Sequence, residues 1–259
     1  MPVLVAQLTT HWGTKLSETA RIDIHNSEAP ILCRSCEVRH KGLCGALDAG
    51  QLLAMAKHTR MTRHEAGKLL AGEETPIQSY ANVMRGVVKL TKVLENGRQQ
   101  VVGLQFAPDF LGRLFGRENA VTAEAASDVE LCEVPRAAFE RLVAEYPQME
   151  QRLFAQVLRE LDEARDWMVT LGQKTAAEKV ASLLYLIAGH IDPSTGTEAH
   201  DTAEFDLPLS RIDIAEFLGL TIETVSRQIT KLRTEGVISV VANRQITIPS
   251  LKRLKARCG

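Results

Sequence analysis

Four cysteines and one helical face hold the side chains in this sequence best suited to chemistry. Cys33-x-x-Cys36, with Cys44 eight residues further on, gathers three thiols in one loop. Cys132 lies between Leu131 and Val134 at the end of a β-rich stretch, from which it can reach that loop. The fifth cysteine, Cys258, stands at the chain terminus and reads as a bystander. Disulfides are not expected in a chain read as cytoplasmic. Four thiolates hold zinc or an iron–sulfur cluster, and spacing alone leaves both open, with inert burial as a third reading. Zinc knuckles usually present two Cys-x-x-Cys pairs, whereas three near thiols and a distant fourth lean towards a cluster. His40 offers one more zinc-type donor, although an exposed histidine in a basic loop is the simpler identity.

The second concentration of chemistry runs from Leu209 to Ile248. Ser210 and Asp213 form a capping-box start for a short helix whose buried face is Ile214, Ala215, Phe217 and Leu218. Gly219 ends that helix, because the tight turn after it calls for a left-handed residue. Thr221 caps a second helix, in which Ile222, Val225, Ile229 and Leu232 repeat at threes and fours and are predicted to face inward. Glu223, Ser226, Arg227 and Thr230 are left on the outward face. Small or slim residues at 215, 219 and 225 are what two helices crossing at close range require. Past Gly236, the runs 237–241 and 245–248 around Ala242-Asn243-Arg244 predict a hairpin wing. The whole reads as a winged helix-turn-helix, a module that reads bases with the N-terminal turns of its second helix. Arg227 has the planar fork for guanine O6 and N7, Glu223 can accept from a cytosine or adenine amino group, and Ser226 suits either kind of base. Lys231, Arg233 and Arg244 suit phosphates. The competing reading, a surface pair between Glu223 and Arg227, would add only about 0.2–0.5 kcal/mol.

Other elements must position these groups. From about Met61 to Val134 the chain shows short β-type runs broken by glycines. Two of them, 87–94 and 99–106, flank Asn96-Gly97, which accepts the positive φ angles of a tight hairpin turn. Several such strands predict a small β-roll or barrel. After Pro147 the period changes: Phe154, Val157, Leu161, Ala164, Met168 and Leu171 fall at alternating threes and fours, one narrow apolar seam along a helix. A seam that narrow suits a partner helix, so a homodimer is expected, while Leu153, Leu158 and Trp167 off the seam are expected to hold the helix to its own domain. Residues 1 to about 30 show no sustained periodicity and read as an arm. The chain thus divides into an arm with its cysteine loop (1–45), a β-roll sensor (46–146), a dimerisation helix (147–174) and a DNA-binding domain (175–259), an α+β architecture.

Composition allows this. With 259 residues, 45% of them hydrophobic, the chain can bury a real core and suits about two domains. No apolar run reaches the roughly 18 residues of a membrane helix, and Met1 to Ser17 lacks the basic start of a secretory signal, so no membrane partner and a cytoplasmic location are expected. The net charge of −1 conceals an uneven distribution. Leu207 to Gly259 carries nine Lys/Arg against four Asp/Glu, +5, which leaves −6 on the rest. A locally basic module is what phosphate attraction needs. No Gly-rich phosphate loop, recognisable pair of catalytic carboxylates or nucleophile elbow is present, so an enzyme is not expected.

Over nearly its whole length the chain resembles the CRP/FNR regulators, most closely the oxygen-sensing FNR branch with its FnrL and FnrN forms. The resemblance rests on Gly86-Val87-Val88-Lys89, Asn96-Gly97-Arg98, Pro108-Asp109-Phe110-Leu111-Gly112 and the stretch Leu218 to Arg227 with its Glu223, Ser226 and Arg227. It implies a cyclic-nucleotide-binding-like β-roll ahead of the long helix and winged helix-turn-helix. It further implies that Cys33, Cys36, Cys44 and Cys132 hold an oxygen-labile [4Fe-4S] cluster, and that the operator is a TTGAT-N4-ATCAA-like inverted repeat. In such regulators oxygen degrades the cluster, the dimer weakens and DNA affinity is lost, which controls genes of anaerobic or microaerobic metabolism. RNA polymerase is an implied partner, and Arg113 sits in a stretch similar to polymerase-contacting surfaces. Two departures stand out. The gap between Cys36 and Cys44 is longer than in enterobacterial FNR proteins and like the alphaproteobacterial ones. The Arg-Ser pair that grips a cyclic-nucleotide phosphate is absent from Arg117 to Thr122, so cyclic AMP is not expected as a ligand.

Overall fold

The computed structural model describes residues 30, 33, 36–190, 201–242 and 244–259. The arm read over the first 29 residues lies outside them, as does Asn243 of the wing. After two short 3-10 turns, Glu37–His40 and Leu43–Ala46, a capping box at Asp48 starts α1 (Ala49–Ala56). Eight strands follow: β1 (Arg60–His64), β2 (Leu69–Ala71), β3 (Ser79–Arg85), β4 (Val88–Val93), β5 (Gln99–Gln105), β6 (Phe110–Leu111), β7 (Thr122–Ala125) and β8 (Val129–Pro135). They pair antiparallel as two four-stranded sheets, in the orders β1-β8-β3-β6 and β2-β7-β4-β5. The predicted hairpin is β4–β5, closed by a turn in which Gly97 has φ +78.

Strand alternation decides what each sheet buries. Ala81, Val83, Val129 and Leu131 from one sheet meet Val88, Ala123 and Ala125 from the other, forming the inside of the roll. The opposite face of the first sheet, with Tyr80, Phe110 and Val134, is covered by α1, by α2 (Arg136–Glu145) and by the start of α3 (Pro147–Gln173). This second core includes Leu43 and Leu47 of the cysteine loop.

Beyond α3 come α4 (Ala176–His190), β9 (Ala203–Asp206), α5 (Arg211–Leu218), α6 (Ile222–Thr234), β10 (Ser239–Val241), β11 (Gln245–Ile248) and α7 (Leu251–Lys255). The wing has three strands, ordered β10-β11-β9; β9 was not foreseen from the sequence. Its partner β11 lies some forty residues away, with Phe205 opposite Ile246. The core of this C-terminal module also takes in Val87, Val101 and Phe106 of the β-roll, so a single apolar cluster spans both.

Candidate thiol centre and nucleic-acid interface

Cys132 is aimed by the pleat. Its neighbours Val129 and Leu131 fill the inside of the roll, so Cys132 lies on the other face, with Val134. It stands in the middle of its sheet, opposite Met61 of β1 and Asn82 of β3. The loop bearing the other thiols is anchored by Leu43 and Leu47, and Cys33 and Cys44 pack against the same core. Gly45 permits this tight path, since a Cβ there would lie 2.7 Å from the His40 carbonyl oxygen. His40 itself is exposed, with a 3.2 Å contact from its Nε2 to Arg39.

The thiols lie within electrostatic reach of one another. Burial, then the charges of Cys132, Cys36 and Cys33, push the Cys44 thiol far above its ordinary range, against an opposing pull from Arg39. Burial, then Cys36, Cys33 and Glu133, push Cys132 up to about 12. Cys33 is raised by burial alone. All four cysteines are free of disulfides. Among the described residues, no three His, Cys, Asp or Glu side chains are closed to metal-holding geometry. Asn82, buried and cross-strand to Cys132, carries a side-chain oxygen with no hydrogen-bond partner on the face where the thiols gather. Cys258 lies elsewhere, buried in the C-terminal core with its thiol on the Leu254 carbonyl.

The loop also touches the long helix. Arg152 of α3 donates from Nη1 to the Gly42 carbonyl at 3.3 Å, and Met149 and Leu153 share the core that holds the loop. Further along α3, Phe154, Val157, Leu161 and Met168 are 65, 56, 44 and 72% exposed, an apolar stripe left uncovered by the described residues. Ala164 is exposed beside them, and Leu171 is partly buried against the C-terminal core. The inner stripe is Met149, Leu153, Gln156 and Thr170, with Trp167 packed on Phe217 of α5 at 4.6 Å between ring centres. Leu158 corrects the sequence reading: it is exposed, because it adjoins Val157 and Leu161 on the outer side rather than turning to its own domain.

In the C-terminal helix-turn-helix the capping chemistry acts as the sequence predicts. Ser210 and Asp213 exchange both capping-box bonds. Gly219 takes φ +62 between α5 and α6, and Thr221 accepts from the Thr224 amide to start α6. Val225, Ile229 and Leu232 are buried, but Ile222 is 42% exposed. It sits in the first turn at the flank of the stripe, where the 100° step carries it towards solvent. Glu223, Ser226, Arg227, Thr230, Lys231 and Arg233 are all exposed along α6, and Arg244 is exposed at the wing. Arg227 reaches the Thr224 hydroxyl at 3.5 Å, and among the described residues it forms no ion pair with Glu223. The Glu223 carboxyl is held below its usual range by a backbone hydrogen bond and by Thr221, so it presents an acceptor.

Comparison with known proteins bears on the β-roll and on the C-terminal module. Residues 178–257 match a Crp-like helix-turn-helix domain and residues 61–146 a cyclic nucleotide-binding domain. A probable transcriptional activator of Rhizobium leguminosarum bv. viciae is 50% identical over 238 residues, 92% of this chain and 98% of that protein. The transcriptional activator protein FnrL of Cereibacter sphaeroides is 37% identical over 227 residues, 88% of this chain and 92% of that one. Among solved structures, FixK2 from Bradyrhizobium japonicum superposes with a TM-score of 0.69 at 30% identity, covering 78% of this chain and 98% of FixK2. Two domain models in tandem, a shared architecture and half-identity across nearly an entire relative lead to one assignment: the chain belongs to the CRP/FNR family of transcription regulators and is not an enzyme.

Proposed function

We propose that this chain is an oxygen-responsive transcription activator that binds a TTGAT-N4-ATCAA-like inverted repeat as a homodimer, with Cys33, Cys36, Cys44 and Cys132 as ligands of a [4Fe-4S] cluster. The observation that carries the reading is the gathering of three loop thiols and one strand thiol over a core shared with the start of α3. The donor set fits: four soft sulfur ligands, none in a disulfide, beside a buried Asn82 acceptor without a donor. When bound, such a cluster supplies an oxygen-labile centre whose positive charge stabilises thiolates that burial disfavours. The chain's own residues do the rest. Arg152 ties the thiol loop to α3, whose outer stripe from Phe154 to Leu171 is the dimer seam, so the state of the loop biases how well two copies pair. Pairing sets DNA occupancy, because the second half-site contact becomes intramolecular.

At the other end Arg227, Glu223 and Ser226 read bases, while Lys231, Arg233 and Arg244 engage phosphates and the capping Thr221 stands with them among the DNA-binding residues. Arg113, exposed after Gly112, is offered to RNA polymerase. The regulated genes serve anaerobic or microaerobic metabolism, and the protein works in the cytoplasm; no described helix is long and apolar enough to cross a membrane.

The test is iron and sulfide analysis of protein purified without oxygen, with operator binding measured before and after air. The expected protein is brown, bleaches in air and releases the operator. A colourless zinc protein, or one whose grip on DNA survives loss of its iron, would overturn the reading.

A further inference from the structure

Lys89 and Asp213 lie 124 positions apart in the chain, yet Lys89 Nζ is 2.6 Å from Asp213 Oδ1. Both side chains are only 15% exposed, and the pair crosses from β4 of the β-roll to the first turn of α5 in the DNA-reading module. Among the described residues it is the single ion pair that joins the two. The lysine is held from its own side by Glu124 of β7 at 3.0 Å. The carboxylate is shared: its Oδ2 accepts from the Ser210 amide at 2.9 Å and from the Ser210 hydroxyl at 2.6 Å. One carboxylate therefore both nucleates α5 and fastens it to the roll. Burial alone would raise this carboxyl, but the hydrogen bonds from Lys89 and Ser210 outweigh it and hold it below the ordinary range.

The far end of α5 is held as well. Gln100 of β5 donates to the Phe217 carbonyl at 3.3 Å, and Trp167 of α3 packs on the Phe217 ring. Since α6 follows α5 across a three-residue turn, whatever fixes α5 fixes the direction in which α6 presents Glu223, Ser226 and Arg227. In a symmetric dimer the two reading helices must stand about one turn of DNA apart, roughly 34 Å. A hinge of a few degrees at α5 displaces α6 relative to the twofold axis, and the match to a fixed half-site spacing is lost.

We propose that Lys89, acting through Asp213, is a positioning residue that sets the half-site spacing this regulator recognises. It touches no base; it fixes the orientation of the helix that does. The inference rests on the DNA-reading role proposed above for α6.

The test uses the full chain, purified without oxygen, and duplexes that carry the TTGAT and ATCAA half-sites with spacers of four base pairs and of one or two pairs more or fewer. The variants are Lys89→Met, Lys89→Arg and Asp213→Asn, the last of which can still accept the Ser210 bonds. The unmodified chain is expected to prefer one spacer sharply. Lys89→Met and Asp213→Asn should bind that spacer about tenfold more weakly, with the gap to neighbouring spacers narrowed, while sedimentation still reports a dimer. Lys89→Arg should restore the preference, and the double variant should be no worse than either single one, as expected for two members of one contact. A Lys89→Met protein that loses affinity equally on all spacers, or keeps the original preference, would overturn the proposal, because a merely stabilising pair acts in that way. Failure of the unmodified chain to bind any spacer would remove the DNA-reading assignment and this inference together.

Discussion

Arg227 and Arg244 are both exposed arginines, but their surroundings assign them different work. Arg227 stands in the second turn of α6, on the same face as Glu223 and Ser226, with its guanidinium near a threonine hydroxyl rather than a carboxylate. Among the described residues no carboxylate occupies its fork. Arg244 lies at the wing, where its carbonyl accepts from the Leu207 amide and its side chain faces solvent. Arg227→Ala should cost about 1–3 kcal/mol on the operator and relax preference at one G·C pair, whereas Arg244→Ala should weaken all sequences alike and reduce the salt slope by about one. Affinity measured on matched, single-mismatch and random duplexes over a salt series checks both, and equal losses for Arg227→Ala on specific and random DNA would deny it a reading role. At this scale much was legible in advance. Gly219, Ser210, Asp213 and Thr221 act on neighbours within a few positions, so their chemistry is written locally. Ile222 and Leu158 were misread because periodicity gives the angle of a side chain but not where the covering surface ends.

Among the elements, α3 bears two demands on two stripes. The inner stripe, from Met149 to Thr170, is satisfied by the chain itself; the outer side leaves Phe154, Val157, Leu158, Leu161 and Met168 44–72% exposed. In the proposed function this stripe is the surface that meets the symmetry mate. Val157→Glu, which places a charge in the middle of it, should convert the dimer to a monomer in sedimentation and leave the thermal unfolding of the monomer little changed. A dimer that persists would move the interface elsewhere. The start of α5 makes a second prediction, in pH. The folded-state value of Asp213 lies below its ordinary 3.8, so its contribution to stability is fully present above that pH and is lost as the pH falls through the depressed value. Thermal melts should show the unmodified chain exceeding Asp213→Asn at neutral pH and converging with it as the pH drops below 3.8; a constant gap would mean that the carboxylate's charge is immaterial. The hairpin β4–β5 and helices α3, α5 and α6 were readable from period, turn and cap. Strand β9, the seat of Cys132 opposite Asn82, the Arg152 contact and the Lys89–Asp213 pair were not, because each joins residues that only the folded chain makes neighbours.

For the molecule as a whole, the distribution of core residues matters more than any boundary drawn along the chain. The thiol loop shares its interior with α3, and the DNA-reading module shares its interior with the β-roll through Val87, Val101 and Phe106. These three side chains are between 1 and 3% exposed and come from the β4–β5 hairpin and the residues that border it, not from the module they help to fill. A genetic screen for regulators that no longer occupy their promoters would therefore return lesions at Val87, Val101 and Phe106, more than a hundred positions upstream of the residues proposed to read base pairs. Chimeras would meet the same rule from the other side: a transplanted C-terminal half brings with it an interior that its new host must complete.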